Sequence, residues 1–161
     1  MTKTEEEIYG RLASYCAQAE RCVQDVEKKL RQTDLSETAR KAVIKRLKTE
    51  NFIDEKRYCR SFIMDKFRFN QWGRIKIRYE LQQRGIPHET YREALELIDD
   101  EEYLSALERL LTQKKRSVKG APNEAFQKLY RFAASRGFES NLIVNVLKRI
   151  VKNADYTEVI E

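Results

Sequence analysis

The segment from residue 77 to residue 98 reads IRYELQQRGIPHETYREALELI, and its pattern occurs three times in the chain. Residues 26–47 and residues 129–150 align with it over 22 columns without a gap, at spacings of 51 and 52 residues. Every copy ends on an aliphatic residue, namely Leu47, Ile98 and Ile150. Self-similarity at a period of about 50 residues is typical of helical repeat proteins, in which neighbouring units stack on each other.

Each copy predicts a helix, a turn and a second helix. Apolar residues four positions apart place one stripe on the first helix. Gly85 and Gly137 stand where that helix would end, and Asp34 occupies the aligned position; these residue types tolerate a left-handed C-cap. The candidates for starting the second helix are Ser36, Pro87 and Ser140.

A leading helix completes each unit, with Asp54 and Asp99 as N-caps of the second and third leading helices. Residues 8–18 supply the leading helix of the first unit. The prediction is an all-α fold of three tandem three-helix repeats, 1–52, 53–98 and 99–161, which form an elongated, curved array. The third repeat carries about seven extra residues in a basic loop at 114–122.

Composition excludes several classes of function. The 161 residues hold 32 Lys and Arg against 26 Asp and Glu, a net charge of +6, with only five glycines and two prolines. No two glycines lie within ten residues, which excludes a phosphate-binding glycine loop. His88 is the single histidine, and we expect it to face solvent at a helix start. The acidic run 99–102 is typical of an N-cap and a solvated first turn. We expect no catalytic residues and no metal site, so the chain would be a binding protein.

The three cysteines, Cys16, Cys22 and Cys59, are odd in number and unmatched in spacing. This pattern predicts reduced, apolar side chains in a cytoplasmic protein. No apolar run approaches the length of a membrane span, and the N-terminus has no signal-peptide pattern.

Two basic clusters are the candidate binding residues. The first spans 19 residues opposed only by Glu80, and comprises Lys66, Arg68, Arg74, Lys76, Arg78 and Arg84. The second, in the predicted loop of the third repeat, comprises Lys114, Lys115, Arg116 and Lys119. Cations of this kind neutralise phosphates, and interleaved aromatic residues stack on bases or anchor a protein interface. We expect Phe67, Trp72 and Ile77 to lie in the core. Basic residues between 40 and 48 are typical of the wet face of a helix.

The segment 52–58, FIDEKRY, resembles the RecX family of bacterial RecA modulators. The resemblance continues through Phe62, Lys66, the Trp72-Gly73 turn, Lys76-Ile77, Glu80-Leu81, Arg84-Gly85-Ile86 and, in the third repeat, Arg136-Gly137-Phe138. It covers about residues 12 to 150. Three positions depart from the family pattern: Gln71 and Asp34 stand where glycine is common, and Arg74 where proline is common.

The resemblance implies a regulator without enzymatic activity or cofactor. Members of the family bind RecA–DNA filaments in the helical groove and inhibit strand exchange, ATP hydrolysis and cleavage of the SOS repressor. We expect a monomer whose partners are the RecA filament and single-stranded or double-stranded DNA, bound through the basic clusters. The alternative is a helical repeat protein that binds nucleic acid without RecA. The basic clusters alone do not distinguish these two functions.

Overall fold

The computed structural model describes residues 1–152. In that part of the chain it contains nine α-helices and no strand: α1 Lys3–Gln18, α2 Val23–Leu30, α3 Glu37–Thr49, α4 Glu55–Arg68, α5 Arg74–Gln83, α6 His88–Glu96, α7 Asp100–Lys115, α8 Pro122–Ser135 and α9 Ser140–Ile150. The all-α prediction and the helical repeat are therefore confirmed. None of these helices is long and apolar enough to cross a membrane.

The helices pack into two compact units. The first unit contains Met1–Phe62 and Leu81–Ala94, and the second contains Ile63–Glu80 and the described residues from Leu95 to Lys152. The boundaries fall inside α4, α5 and α6, so each of these helices contributes residues to both units. The predicted division into repeats 1–52, 53–98 and 99–161 describes the sequence pattern and remains a prediction.

The core of the first unit forms where α1, α2 and α3 bury their apolar stripes. Val26, Leu30, Val43 and Leu47 are fully buried there. At the edge of this core the Tyr9 hydroxyl donates to the carboxylate of Glu50, and α1 is thereby tied to the end of α3. The three cysteines are free and buried, as apolar residues are.

Several helix ends follow the predicted chemistry. Ser36 caps α3 by accepting from the Ala39 amide at 3.1 Å, and Asp99 caps α7 by accepting from the Glu102 amide at 3.0 Å. Asp54 accepts from the Arg57 amide at the start of α4 at 3.0 Å. These side chains satisfy amides that have no partner inside the first helical turn.

The two predicted glycine turns have the same backbone geometry. Gly85 and Gly137 have φ of +72° and +93°. The amides of Ile86 and Phe138 reach back to the carbonyls of Leu81 and Ala133, at 3.2 and 3.3 Å. This is the hydrogen-bond pattern of a Schellman C-cap, which requires a left-handed residue.

The first repeat ends its helix differently, so the left-handed role predicted for Asp34 is wrong. The non-glycine residues with positive φ among those described are Asn51 and Gln71. Instead, the Thr33 hydroxyl donates to the Leu30 carbonyl at 2.6 Å. A local side-chain hydrogen bond replaces the glycine turn at this position.

Two further boundaries differ from prediction in the third repeat. The N-cap of α9 is Glu139, and Ser140 is the first helical residue, with its hydroxyl 2.6 Å from that of Tyr130. The basic loop predicted at 114–122 is shorter in the structure and spans residues 116–121, because α7 continues through Lys115 and α8 begins at Pro122. Lysine has a high helix propensity, so Lys114 and Lys115 extend the last turn of α7. Their positive charges are stabilised there by the negative end of the helix dipole.

Candidate nucleic-acid interface

The start of α5 lies against the turn between α8 and α9. The Gly73 amide donates to the Arg136 carbonyl at 2.7 Å, and the Ile75 amide donates to the Gly137 carbonyl at 2.9 Å. A Cβ atom on Gly73 would lie 2.4 Å from the carbonyl carbon of Gly137. Only two glycines allow backbones to approach this closely.

This junction places a lysine beside Trp72. A Cβ on Gly137 would lie 2.3 Å from the Cβ of Lys76, so Gly137 also makes room for the base of this side chain. The Lys76 and Lys66 ammonium groups lie 4.6 and 5.0 Å from the centre of the Trp72 ring. Trp72 is half-buried, and not the full core residue that was predicted. Lys66, Trp72 and Lys76 are called the Trp72 site below.

A second ring with two cations lies on α8. The Lys114 ammonium group is 4.9 Å and the Arg136 guanidinium 5.0 Å from the centre of the Phe132 ring. Lys114, Phe132 and Arg136 are called the Phe132 site. Arg136 joins the two sites, because its Nη1 donates to the Asn70 carbonyl at 3.0 Å and its own carbonyl accepts from Gly73.

Sequence reasoning missed Phe132 and Arg136 as site residues, although the repeat contains a signal for the arginine. Arg136 aligns with Arg84, one position before the turn glycine in each repeat. Arg84 makes the equivalent contact within the first unit, with its guanidinium 4.7 Å from the Phe62 ring. The ring partner itself falls at a different column in the two repeats, so periodicity does not predict it.

Arg74, a predicted binding residue, has its charge neutralised inside the second unit. Its guanidinium is 2.8 Å from Asp100 and 3.2 Å from Glu139, and it stacks 3.8 Å over the ring of Tyr103. The Arg74 amide also donates to the Tyr103 hydroxyl at 2.9 Å. Three polar and aromatic contacts converge on a side chain that is only 20% exposed. The geometry is that of a structural clamp.

Tyr103 completes this clamp from α7. It is fully buried and donates its hydroxyl proton to Glu139. Burial, followed by the hydrogen bond to Glu139, raises the pKa of Tyr103 above its ordinary value. The phenol therefore stays neutral and keeps donating, which leaves the second oxygen of Glu139 for Arg74.

Two other predicted residues are also engaged by the protein itself. Arg68 pairs with Glu102 at 3.2 Å in an exposed ion pair. Lys115 donates to the Ile150 carbonyl at the end of α9, where it satisfies a carbonyl that has no helical partner. Arg84 belongs to the first unit, whereas the other nine candidates belong to the second.

Three predicted residues have exposed side chains that make no hydrogen bond or ion pair within residues 1–152: Arg78, Arg116 and Lys119. The apolar residues interleaved with the first basic cluster divide into two groups. Phe67 and Ile77 are buried, as predicted, whereas Phe69 and Tyr79 are 81% and 56% exposed. The structure thus brings the Trp72 and Phe132 sites together and leaves the other cations at separate places.

Comparison with known proteins identifies similar chains. The profile described as RecX, second three-helix domain, matches residues 54–95, and the profile of RecX, third three-helix domain, matches residues 100–147. The regulatory protein RecX of Prosthecochloris aestuarii is 32% identical over 146 residues, which cover 89% of this chain and 93% of that protein. The regulatory protein RecX of Clostridium botulinum strain Eklund 17B is 38% identical over 110 residues, which cover 65% of this chain and 50% of that protein.

Solved structures with the same fold carry the same family name. A crystal structure of regulatory protein RecX matches with a TM-score of 0.81 at 23% identity, over 88% of this chain and 72% of that one. The crystal structure of RecX from Lactobacillus salivarius matches with a TM-score of 0.79 at 22% identity, over 91% and 96%. At such identities these structures establish the fold. Against two Clostridium botulinum relatives, the chain spans 50% and 58% of the relative's length.

Proposed function

This chain belongs to the RecX family, and from that premise we propose that it regulates RecA by binding RecA–DNA filaments in their groove. It would inhibit recombinase, ATPase and coprotease activities by binding alone, as a monomer in the cytoplasm and without turnover of its own. The observation that carries the proposal is the 32% identity to a regulatory protein RecX over 89% of the chain.

The structure supports the proposal through charge. The net charge is +6, and the second unit holds two aromatic rings that each carry two cations. Such cations suit a filament that contains DNA phosphates and acidic protein surface. The exposed residues Ile75, Arg78 and Tyr79 fall on one face of α5, where Ile75 and Tyr79 offer apolar contacts to protein subunits and Arg78 adds a positive charge.

The test is titration of the protein into RecA on single-stranded DNA, with ATP hydrolysis and filament length followed together. The informative variant is Lys76→Glu with Arg78→Glu. Arg74 is left unchanged, because its removal would leave two carboxylates unpaired and disturb the fold. The matched control, Lys45→Glu with Lys48→Glu, makes the same change of charge on exposed residues of α3.

We expect the wild-type protein and the α3 control to inhibit ATP hydrolysis, and the α5 double variant to inhibit it less. A folded α5 variant that inhibits as fully as wild type would remove this surface from the mechanism. Absence of any effect of the wild-type protein on RecA would refute the proposed function.

The second candidate, binding to nucleic acid without RecA, is favoured by the same cation-bearing rings. It predicts tight binding to bare DNA with a steep dependence on salt, because every neutralised phosphate releases counterions. Weak binding to bare DNA together with strong binding to RecA-coated DNA would favour the first candidate.

A further inference from the structure

We propose that the Trp72 and Phe132 sites bind the phosphodiester backbone of nucleic acid, with the two rings holding cations in place and not stacking on bases. This rests on the proposed function and deepens it, because it assigns the DNA contact to five side chains of the second unit. Trp72 and Phe132 would be positioning residues, and Lys76, Lys114 and Arg136 would touch the phosphates.

The rings of Trp72 and Phe132 are already in contact with cations of the protein. Ammonium groups lie 4.6 and 5.0 Å from the Trp72 ring centre, and a lysine and an arginine lie 4.9 and 5.0 Å from the Phe132 ring centre. Both rings are also half-buried. A base that stacks needs an open ring face, whereas these rings already use their electron-rich faces to attract cations.

Three of the cations on these rings are not neutralised by carboxylates of the protein. Within residues 1–152, Lys76, Lys114 and Arg136 make no ion pair with a carboxylate. By contrast, Arg68 and Arg74, two arginines of the same region, are paired with Glu102, Asp100 and Glu139. Lys76, Lys114 and Arg136 therefore keep their full charge for an outside anion.

The Trp72 and Phe132 sites are connected through Arg136. Arg136 contacts Phe132 with its guanidinium and the Asn70 carbonyl with Nη1, two residues before Trp72. One of its five N–H donors is used there, and the rest of the fork suits phosphate oxygens. Neighbouring pairs of cations fit a polymer with an anion on every unit, and the nucleic acid backbone is such a polymer.

The two rings hold their cations in place before an anion binds. A free lysine loses rotamer freedom when it binds an anion, and this cost lowers its affinity. Trp72 and Phe132 restrict their cations before binding. Gly137 contributes as well, because its missing side chain lets the base of Lys76 approach the α8–α9 turn.

The experiment measures binding of the full chain to labelled strands by fluorescence anisotropy over a salt series that starts at low salt. The probes are a thymidine oligonucleotide, an abasic strand of the same length, and polyglutamate. We expect equal affinity for the first two and weaker binding of polyglutamate. Trp72 is the single tryptophan, so its emission should change equally with both strands.

Variants test the separate roles of cations and rings. Lys76→Gln and Lys114→Gln should each reduce the slope of log affinity against log salt by about 1. Trp72→Leu should weaken binding about two- to fivefold with little change of slope, and Trp72→Phe should restore most of it. Phe69→Leu is the matched control, because Phe69 is 81% exposed and no cation from residues 1–152 lies on its ring.

Several results would overturn the proposal: weaker binding of the abasic strand, base-dependent quenching of Trp72, an unchanged salt slope in folded lysine variants, or no binding to either strand at the lowest salt. A loss caused by Phe69→Leu and not by Trp72→Leu would replace it with base stacking at Phe69. Preference for polyglutamate would replace it with an acidic protein partner. In all these cases inhibition of RecA by the wild-type chain would still support the proposed function.

Discussion

Gly73 and Gly137 meet backbone to backbone, although 64 positions separate them in the chain. The hydrogen bonds from Gly73 to Arg136 and from Ile75 to Gly137 join the first residues of α5 to the α8–α9 turn. This contact determines where Trp72, Arg74 and Lys76 lie in the second unit. The contribution of this contact to the free energy of unfolding can be measured by substitution of Gly73.

Replacement of Gly73 by alanine should destabilise the protein by about 3 kcal/mol, since the new Cβ would overlap backbone atoms that have no freedom to move. Gly10→Ala is the control, because nothing lies within 4 Å of a Cβ there and Gly10 is inside α1. That substitution should stabilise by up to about 1 kcal/mol through helix propensity. Urea unfolding checks both, and equal effects would contradict the close approach.

Gln71 is expected to be a strained position that glycine relieves. Its φ is +58°, in the left-handed region where side chains other than glycine, asparagine and aspartate are disfavoured. Gln71→Gly should therefore raise the free energy of unfolding by about 1 kcal/mol. Asn51→Gly, at φ +63°, should give a smaller gain, because asparagine tolerates this conformation. The same urea titrations compare the two, and a loss of stability in Gln71→Gly would refute the strain.

Arg74 and Arg68 should differ strongly in what they contribute to stability. Arg74→Met removes a largely buried partner of two carboxylates and should cost about 3 kcal/mol. Arg68→Met removes one exposed ion pair and should cost less than about 1 kcal/mol. Arg74→Lys should recover only part of the loss, because an ammonium group cannot bridge both carboxylates or stack flat on Tyr103. Thermal unfolding of the three variants tests the order.

Stability should fall at alkaline pH through Cys59. Burial raises the pKa of the Cys59 thiol from 9.0 to about 12. The unfolded chain therefore releases this proton at lower pH than the folded protein, and the free energy of unfolding decreases as pH rises from about 9 to about 12. Urea midpoints measured from pH 8 upward should decline, with a shallower decline in Cys59→Ala. An identical decline in that variant would assign the effect to other groups, of which Tyr58 is one with a raised pKa.

Thiol reactivity gives a second check on the same residues. Burial also raises the pKa of Cys16 and Cys22, so all three thiols are neutral and enclosed near pH 8. A thiol reagent should modify the folded protein only slowly and the urea-unfolded chain at once. Rapid labelling of the folded protein would contradict the burial.

Much of the fold was accessible from local patterns in the sequence. Ser36, Asp54 and Asp99 have the side chains that cap a helix, and they do so. Gly85 and Gly137 lie at aligned columns and adopt the same turn. The prediction for Asp34 failed because the Thr33 hydroxyl closes the helix end one residue earlier.

The candidate site was only partly accessible. Clustering of basic residues indicated the region around Lys66 and Lys76, which carry the Trp72 ring. The sequence contained no sign that Phe132 joins them, because Phe132 meets Lys114 only once α7 and α8 pack together. The role of Arg74 in binding remains a prediction. In the structure, the carboxylates of Asp100 and Glu139 already neutralise the charge of its guanidinium.

The sequence by itself determined the helices, most of their caps and the repeat, because these follow from interactions between residues a few positions apart. Only the tertiary structure decided which cations keep their charge for a partner. Arg74 and Lys76 are two residues apart and chemically alike, yet Arg74 meets carboxylates 26 and 65 positions away, whereas Lys76 lies over an aromatic ring. Long-range contacts of this kind depend on how helices pack, and no local pattern encodes them.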